Sequence, residues 1–306
     1  MTHLEYPELL TTVVGSFPPT YLPPHRAIQH AVELQIGAGI ELISDGQVRG
    51  DIIASFASRI PGFRRSSHAD IWEVESALDL PSDYLIAQDY AFAQRLTGGR
   101  ATVKGIVTGP VTLAMSCAVA PSAPYAGNSD PALILRLAEI LERDVASLAS
   151  AGATVIQIDE PVLGAVLGRQ IAPELAHDAL RALAAIPSVP ALHVCGDIRE
   201  VTAELLLLPF MALDFEQAGM ANLDAFDRDM LEFSDMILSV GVVTTSDATV
   251  EPVSAIRQRI EEVFRVVPVD RVWVSPDCGM RALPEASAVA KLEHMAAAVG
   301  QIRAAR

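Results

Sequence analysis

Short apolar runs rich in Val and Ile alternate along this chain with longer amphipathic stretches. This alternation is typical of parallel strands that are joined by helices. Several amphipathic stretches begin with helix-starting residues, such as Asp130-Pro131 before residues 132–151 and Pro252 before residues 253–266. Eight apolar runs are predicted strands: residues 11–15, 40–44, 101–107, 154–158, 190–194, 211–215, 236–242 and 271–274.

Eight strands with intervening helices predict an α/β fold, a single (β/α)8 TIM barrel that forms one domain over residues 1–306. Barrels of this kind commonly take about 250 residues or more. Hydrophobic residues make up 51% of the chain, which is enough for a sizeable core. A doubly wound open sheet is the competing architecture, but no G-x-G-x-x-G dinucleotide motif follows the first strand. The stretch 51–89 exceeds a minimal crossover and predicts an added helix or excursion beside the barrel mouth.

The charge balance narrows the classes of partner. With 22 basic and 38 acidic residues, the formal net charge is -16, which repels nucleic acid and anionic membrane surfaces. Residues 1–10 carry no leader pattern and no later segment offers about 18 uninterrupted apolar residues, so we predict a cytoplasmic location. Three cysteines, an odd number in a large chain, indicate reduced thiols rather than a disulfide framework.

Chemistry in a (β/α)8 barrel lies at the C-terminal ends of the strands, so the residues that follow each apolar run are informative. Here they bring carboxylates, an imidazole and two thiols from different strands to one mouth. The residues in question are Gly15-Ser16, Asp45-Gly46-Gln47, Gly109-Pro110, Asp159-Glu160, His193-Val194-Cys195, Glu216, Thr244 to Asp247 and Asp277-Cys278.

Four of these residues predict a metal site. His193 and Cys195 are two apart at a strand end, so both side chains point to the same side. Together with Glu216 and Cys278 they supply nitrogen, oxygen and two sulfurs, a donor set that suits tetrahedral Zn2+. Each residue alone has a plainer interpretation, as a core histidine, a helix cap or arginine partner, or a buried thiol. We interpret Cys117 as such a buried thiol.

At these residues the sequence resembles the catalytic domain of the cobalamin-independent methionine synthase family, especially its short archaeal-type members. The resemblance runs nearly end to end. It is carried by T-V-V-G-S-F-P at 12–18, S-D-G-Q-V-R-G-D at 44–51, T-G-P-V-T at 108–112, Q-I-D-E-P at 157–161, H-V-C at 193–195, Glu216 and P-D-C-G at 276–279.

The resemblance implies specific roles. His193, Cys195, Glu216 and Cys278 match the family's zinc ligands. Val14, Gly15 and Ser16 match the segment that holds the amino-acid part of homocysteine, and Asp159 matches the acid that receives its ammonium group. A carboxylate suits an ammonium partner, although Asp159 could instead be a helix N-cap.

The implied reaction is methionine formation by methyl transfer to homocysteine, whose thiol loses its proton on binding zinc. Three rival functions stay open. A coenzyme M alkyltransferase would have no ammonium group for Asp159 to pair with. A zinc metallohydrolase would favour histidines and carboxylates over two thiolates. A non-catalytic barrel with a structural zinc site is the third.

The methyl donor is predicted from two departures from the folate-using members. Ser116 stands where they place a tryptophan that stacks on the pterin, and Thr244-Thr245-Ser246 stands where they carry D-x-H. Serine is too weak an acid to protonate the departing folate nitrogen, and we find no separate N-terminal domain of the long members. We therefore expect a methylcorrinoid donor, either methylcobalamin or a corrinoid protein docked over the mouth, with 5-methyltetrahydrofolate as the alternative.

Overall fold

The computed structural model describes residues 7–66, 69–232 and 234–306. The strands are β1 (Leu10–Thr11), β2 (Leu42–Ile43), β3 (Phe63–Arg65), β4 (Trp72–Val74), β5 (Thr102–Val103), β6 (Gly105–Thr108), β7 (Ala118–Val119), β8 (Val155–Asp159), β9 (Val189–Val194), β10 (Ala212–Glu216), β11 (Ile237–Val243) and β12 (Val272–Pro276). The helices are α1 (Pro24–Gly37), α2 (Ala54–Ala57), α3 (Leu85–Thr97), α4 (Pro110–Met115), α5 (Pro131–Ser150), α6 (Leu163–Val166), α7 (Pro173–Ala184), α8 (Thr202–Leu206), α9 (Arg228–Glu232), α10 (Val253–Val263) and α11 (Glu285–Ala305).

A curled parallel sheet carries the fold, and the predicted α/β class is confirmed. Seven strands pair in the order β1-β12-β11-β10-β9-β8-β6. β2 pairs in parallel with β5, and Thr12 forms a parallel bridge with Leu42. Each predicted run overlaps a strand, but nearly all of the predicted boundaries differ from the observed ones, and two runs differ most. The first run forms a strand only at Leu10–Thr11, and the third is divided at Lys104 into β5 and β6.

Strand alternation sorts the inward-facing side chains into layers. The lowest layer is an apolar cluster from six strands, and it includes the buried side chain of Trp273. Its members are Leu10, Leu42, Val155, Val189, Ala191, Ala212 and Trp273, with Ile237 packed against them. Two residues further along β8, β9 and β10, the same face carries Gln157, His193 and Asp214, all buried. Another two residues bring Asp159, Cys195 and Glu216, so the polar groups gather at the carboxyl ends.

The stretch 51–89 forms the predicted excursion. It contains the short helix α2, an antiparallel β3–β4 hairpin and the start of α3, and β4 also pairs in parallel with β7. Residues 67 and 68 lie outside the described residues. Because the hairpin pairs with β7, which directly follows α4, the excursion is joined to the same end of the sheet as the polar groups.

Within the described ranges, none of the helices has the length and apolar character needed to cross a membrane. Of the N-terminal segment 1–10, residues 1–6 lie outside the described residues. The cytoplasmic location stays a prediction.

Candidate metal and substrate site

Three of the four predicted metal ligands come together at the ends of β9 and β12. His193 Nε2 lies 2.9 Å from Cys195 Sγ, which lies 3.1 Å from Cys278 Sγ. The third side of this triangle, from Cys278 Sγ to His193 Nε2, is 3.9 Å. One imidazole nitrogen and two sulfurs within such reach form a donor set that fits Zn2+.

Asp214 fixes the orientation of the imidazole. Its Oδ1 lies 2.6 Å from His193 Nδ1, and its Oδ2 accepts a hydrogen bond of 2.5 Å from Ser239 Oγ. Burial opposes charge on His193, but its hydrogen bonds with Asp214 and Cys278 outweigh burial and raise the pKa of His193 well above its ordinary value. A carboxylate that accepts from Nδ1–H directs Nε2 towards the thiols, the arrangement typical of metal-bound histidines.

The two thiols lie within hydrogen-bonding distance of each other. Donation from Cys195, together with the nearby imidazole, overcomes burial and lowers the pKa of Cys278 to about 4, while the same bond raises the pKa of Cys195. Cys117 behaves differently, because burial alone raises its pKa to about 12. Its thiol is buried in the hydrophobic core, as interpreted from the sequence.

Glu216 lies at the end of β10 and is not part of the three-residue cluster. Its Oε1 accepts a 2.8 Å hydrogen bond from the backbone N–H of Gly196, next to Cys195. Asn222 holds both loops, since its Nδ2 donates to the carbonyl oxygens of Gly196 and Glu216. The carboxylate therefore lies beside the thiols, and its role as the fourth ligand stays a prediction.

Asp277 organises the loop that follows Glu216. Its carboxylate accepts hydrogen bonds of 2.7 to 2.9 Å from the backbone N–H groups of Gln217, Ala218 and Gly219. Burial outweighs these bonds and raises the pKa of Asp277 to about 6. The residue before Cys278 thus ties the end of β12 to the end of β10.

Ser16 lies directly against the residues that follow Cys278. The backbone N–H of Met280 donates to the Ser16 carbonyl oxygen at 2.8 Å. A Cβ added to Gly279 would lie only 2.2 Å from Ser16 Oγ, so a side chain at this position would displace the Ser16 hydroxyl. The Gly15 carbonyl accepts from Ser44 Oγ at 2.5 Å. The structure therefore places Ser16 beside the loop that follows Cys278.

Asp159 is buried at the end of β8, next to His193 in the strand register. Gln157 Nε2 donates to its Oδ1 at 2.7 Å, and Gln47 Nε2 donates to its Oδ2 at 3.4 Å. Burial raises the pKa of Asp159, against the lowering effect of His193 and these amides. The alternative that Asp159 caps a helix is wrong, because α6 begins after Val162 without a side-chain cap.

The neighbouring Glu160 is the residue that caps a helix. It accepts from the backbone N–H groups of Val111 and Thr112 in the first turn of α4, at 2.9 and 2.7 Å, and from Thr112 Oγ1. A Cβ at Gly109 would lie 2.2 Å from its carboxylate, which explains the glycine. The Gly109-Pro110 motif is thus a tight packing site between β6, α4 and β8.

A cavity of about 500 Å³ opens between the segment that follows β2, the helices α2 and α3, and the start of β6. Gln47 and Lys104 line it, and both also contact the residues around Asp159. Its opposite wall carries Asp89, which forms a two-pronged ion pair with Arg49. The substrate side of the site therefore borders open space within the excursion.

The two positions that prompted the corrinoid expectation lie at the rim. Ser116 is exposed at the C-terminus of α4. Thr244 Oγ1 lies 2.8 Å from Ser246 Oγ, and the backbone N–H of Thr244 donates to Glu251. Neither Ser116 nor the segment 244–246 carries an aromatic ring or an imidazole.

The fold and this cluster define an α/β enzyme whose imidazole and thiol groups meet at the carboxyl ends of parallel strands. The family described as cobalamin-independent synthase, catalytic domain, matches residues 20–301, and the chain belongs to it. It is a methyltransferase of the methionine synthase type.

Individual relatives align with nearly the whole of this chain. The methionine synthase of Methanothermobacter marburgensis is 33% identical, over 96% of this chain and 100% of the relative. The 5-methyltetrahydropteroyltriglutamate–homocysteine methyltransferase of Herpetosiphon aurantiacus is 26% identical over 98% of this chain and 44% of that protein. A B12-independent methionine synthase from a Shewanella species, solved with selenomethionine, superposes with a TM-score of 0.85 at 19% identity, covering 97% of this chain and 98% of that one.

The membership corrects the expected donor. The family is cobalamin-independent, so the prediction of methylcobalamin or a docked corrinoid protein is wrong. Two missing side chains are not evidence for another donor. Loss of a stacking ring at Ser116 and of an acid at Ser246 removes two contacts to a pterin but creates no binding site for a corrinoid.

Proposed function

We propose that this enzyme forms methionine by transferring the methyl group of a 5-methyltetrahydropteroylglutamate to homocysteine. Zn2+ would be held by His193, Cys195, Glu216 and Cys278 at the mouth of a closed (β/α)8 barrel that forms one domain. The observation that carries this proposal is the triangle of His193, Cys195 and Cys278, with Ser16 against the loop after Cys278. The name of the Herpetosiphon relative supports the pterin donor.

When bound, zinc would favour the thiolate form of homocysteine. The protein's own groups would orient the substrate. The Ser16 hydroxyl lies beside Gly279 and would donate a hydrogen bond to the substrate carboxylate, while the buried Asp159 carboxylate would accept from the ammonium group. In the transfer, the S–CH3 bond forms as the N5–CH3 bond breaks. The electron pair stays on N5, which takes a proton, and the walls of the site hold the two reactants in line.

The test combines purified zinc-loaded enzyme with L-homocysteine and 5-methyltetrahydropteroyltriglutamate, and measures methionine by mass spectrometry. We expect methionine in proportion to the donor consumed. A parallel reaction replaces homocysteine with 2-mercaptoethanesulfonate, which lacks an ammonium group. Faster methylation of the sulfonate than of homocysteine would contradict the assignment of the acceptor, and no turnover of the pterin donor would contradict the assignment of the donor.

A further inference from the structure

Lys104 is a buried cation inside the curled sheet. It separates β5 from β6, is 4% exposed, and its Nζ donates to the Val13 carbonyl and, at 2.6 Å, to Gln157 Oε1. Burial lowers its pKa to about 8, while Asp214 and Asp159 act in the opposite direction. Both acids adjoin His193, since Asp214 Oδ1 lies against His193 Nδ1 and Asp159 pairs with His193 in the strand register.

The ammonium determines how the Gln157 amide is oriented. Lysine has three N–H donors and no acceptor, so the amide oxygen of Gln157 must face it. The amide nitrogen then faces the other way and donates to the Val14 carbonyl at 2.8 Å and to Asp159 Oδ1 at 2.7 Å. Both N–H groups of the Gln157 amide thus donate to residues that the proposed function assigns to substrate binding.

The hydrogen bonds of Lys104 and Gln157 span the interior from the segment after β1 to the end of β8. Val13 and Val14 follow β1 and lead into Gly15 and Ser16, whereas Asp159 ends β8. A rotated amide would present its oxygen to the Val14 carbonyl and to the Asp159 carboxylate, and acceptors facing acceptors repel. The distance between the Val14–Ser16 segment and Asp159 thus depends on the Lys104–Gln157 pair.

We propose that Lys104 and Gln157 are a positioning pair that sets the geometry of Val14–Ser16 relative to Asp159, and so makes the enzyme select an amino-acid thiol over a simple thiol. The inference rests on the proposed function, since it concerns how homocysteine is held. Neither residue belongs to the cluster of His193, Cys195 and Cys278.

The test compares binding of L-homocysteine and 2-mercaptoethanol to zinc-loaded proteins by calorimetry, together with KM and kcat. Lys104→Met should weaken L-homocysteine binding about tenfold, the equivalent of one buried hydrogen bond to a charged group. Binding of 2-mercaptoethanol should change by less than about twofold, because it lacks the groups that this pocket orients. KM for homocysteine should rise with kcat nearly unchanged.

Lys291→Met is the matched control. Lys291 is equally buried and its Nζ bonds Thr249 O and Glu251, but it lies on α11 away from Asp159. Its loss should lower the thermal midpoint without changing the ratio of the two thiol affinities.

The double variant Lys104→Met/Gln157→Met separates positioning from stability. An apolar pair of similar volume often restores the stability that a broken buried polar pair loses. We expect recovered thermal stability and persistently weak homocysteine binding. Recovery of both thermal stability and homocysteine binding in the double variant would overturn the proposal. Equal weakening of the binding of the two thiols in Lys104→Met would also overturn it. Absence of pterin turnover in the unmodified enzyme would instead refute the proposed function, because the calorimetric comparison does not depend on methyl transfer.

Discussion

Replacing Asp214 tests whether the buried carboxylate tunes the metal site. In Asp214→Asn the amide oxygen can still accept from His193 Nδ1–H, while its nitrogen donates to Ser239 Oγ. The bond is kept but loses its charge, a difference of about 1.4 kcal/mol and so about tenfold in zinc affinity. In Asp214→Ala the Nδ1–H is left buried without its acceptor, which costs up to about 3 kcal/mol, or about 100-fold.

The assay is competition for Zn2+ against a chromophoric chelator at fixed pH, with circular dichroism as the check on folding. Ser239→Ala is the control, since it removes the hydroxyl that bonds Asp214 Oδ2 but leaves the bond to His193. We expect the order unmodified, Ser239→Ala, Asp214→Asn, Asp214→Ala from tightest to weakest. Equal affinity of the folded Asp214→Ala and unmodified proteins would refute the reasoning that this carboxylate supports a metal-bound imidazole.

Three further predictions use other groups of the site. Cys195→Ser and Cys278→Ser should each lose stoichiometric zinc by metal analysis while Cys117→Ser retains it, and retention in the first two would contradict the thiolate ligands. Asp159→Asn should raise KM for homocysteine about tenfold more than KM for ethanethiol, whereas equal increases would exclude ammonium pairing. Burial raises the pKa of Glu160 from 4.5 to about 7, so the folded state binds this proton more readily than the unfolded state. The contribution of Glu160 to stability is therefore greatest below about pH 4.5 and is lost as pH rises to about 7. The thermal midpoint of Glu160→Gln, compared with that of the unmodified protein, should change less across this window, and identical pH profiles would contradict the assignment.

Much of the fold could be predicted from local pattern, because a strand buried on both faces shows as an apolar run. The same logic located His193, Cys195 and Asp159, which continue the inward face of β9 and β8 just past the apolar layer. Strand ends were less predictable. Lys104 divides its run because its backbone N–H donates to the Ile43 carbonyl, whereas the next strand, β6, pairs with β8. One sequence does not reveal this change of partner.

The supporting residues were missed for a related reason. Asp214 lies two residues before Glu216 and therefore on the same face of β10, a signal that was present in the sequence. Its partner His193, however, is set by the register between β10 and β9. The roles of Gln157 and Lys104 were harder still to predict, because their contacts cross the interior from β8 to the segment after β1. Periodicity gives the face of a side chain, but not which side chain it meets across a barrel.

The prediction of a methylcorrinoid donor was wrong for a physical reason. Ser116 and Ser246 are exposed rim residues, and a small side chain on a rim leaves space that a flat ring can still occupy. Affinity for such a ring also comes from backbone groups and apolar walls, which do not depend on one tryptophan. Proton delivery to N5 likewise needs an acid within reach of the bound donor, and an acid can come from any strand end. A missing residue therefore lowers the expected strength of one contact. The identity of the donor depends on the whole surface that surrounds the thiol cluster. The family match covers residues 20–301 and so includes that surface, whereas the donor prediction used only two positions.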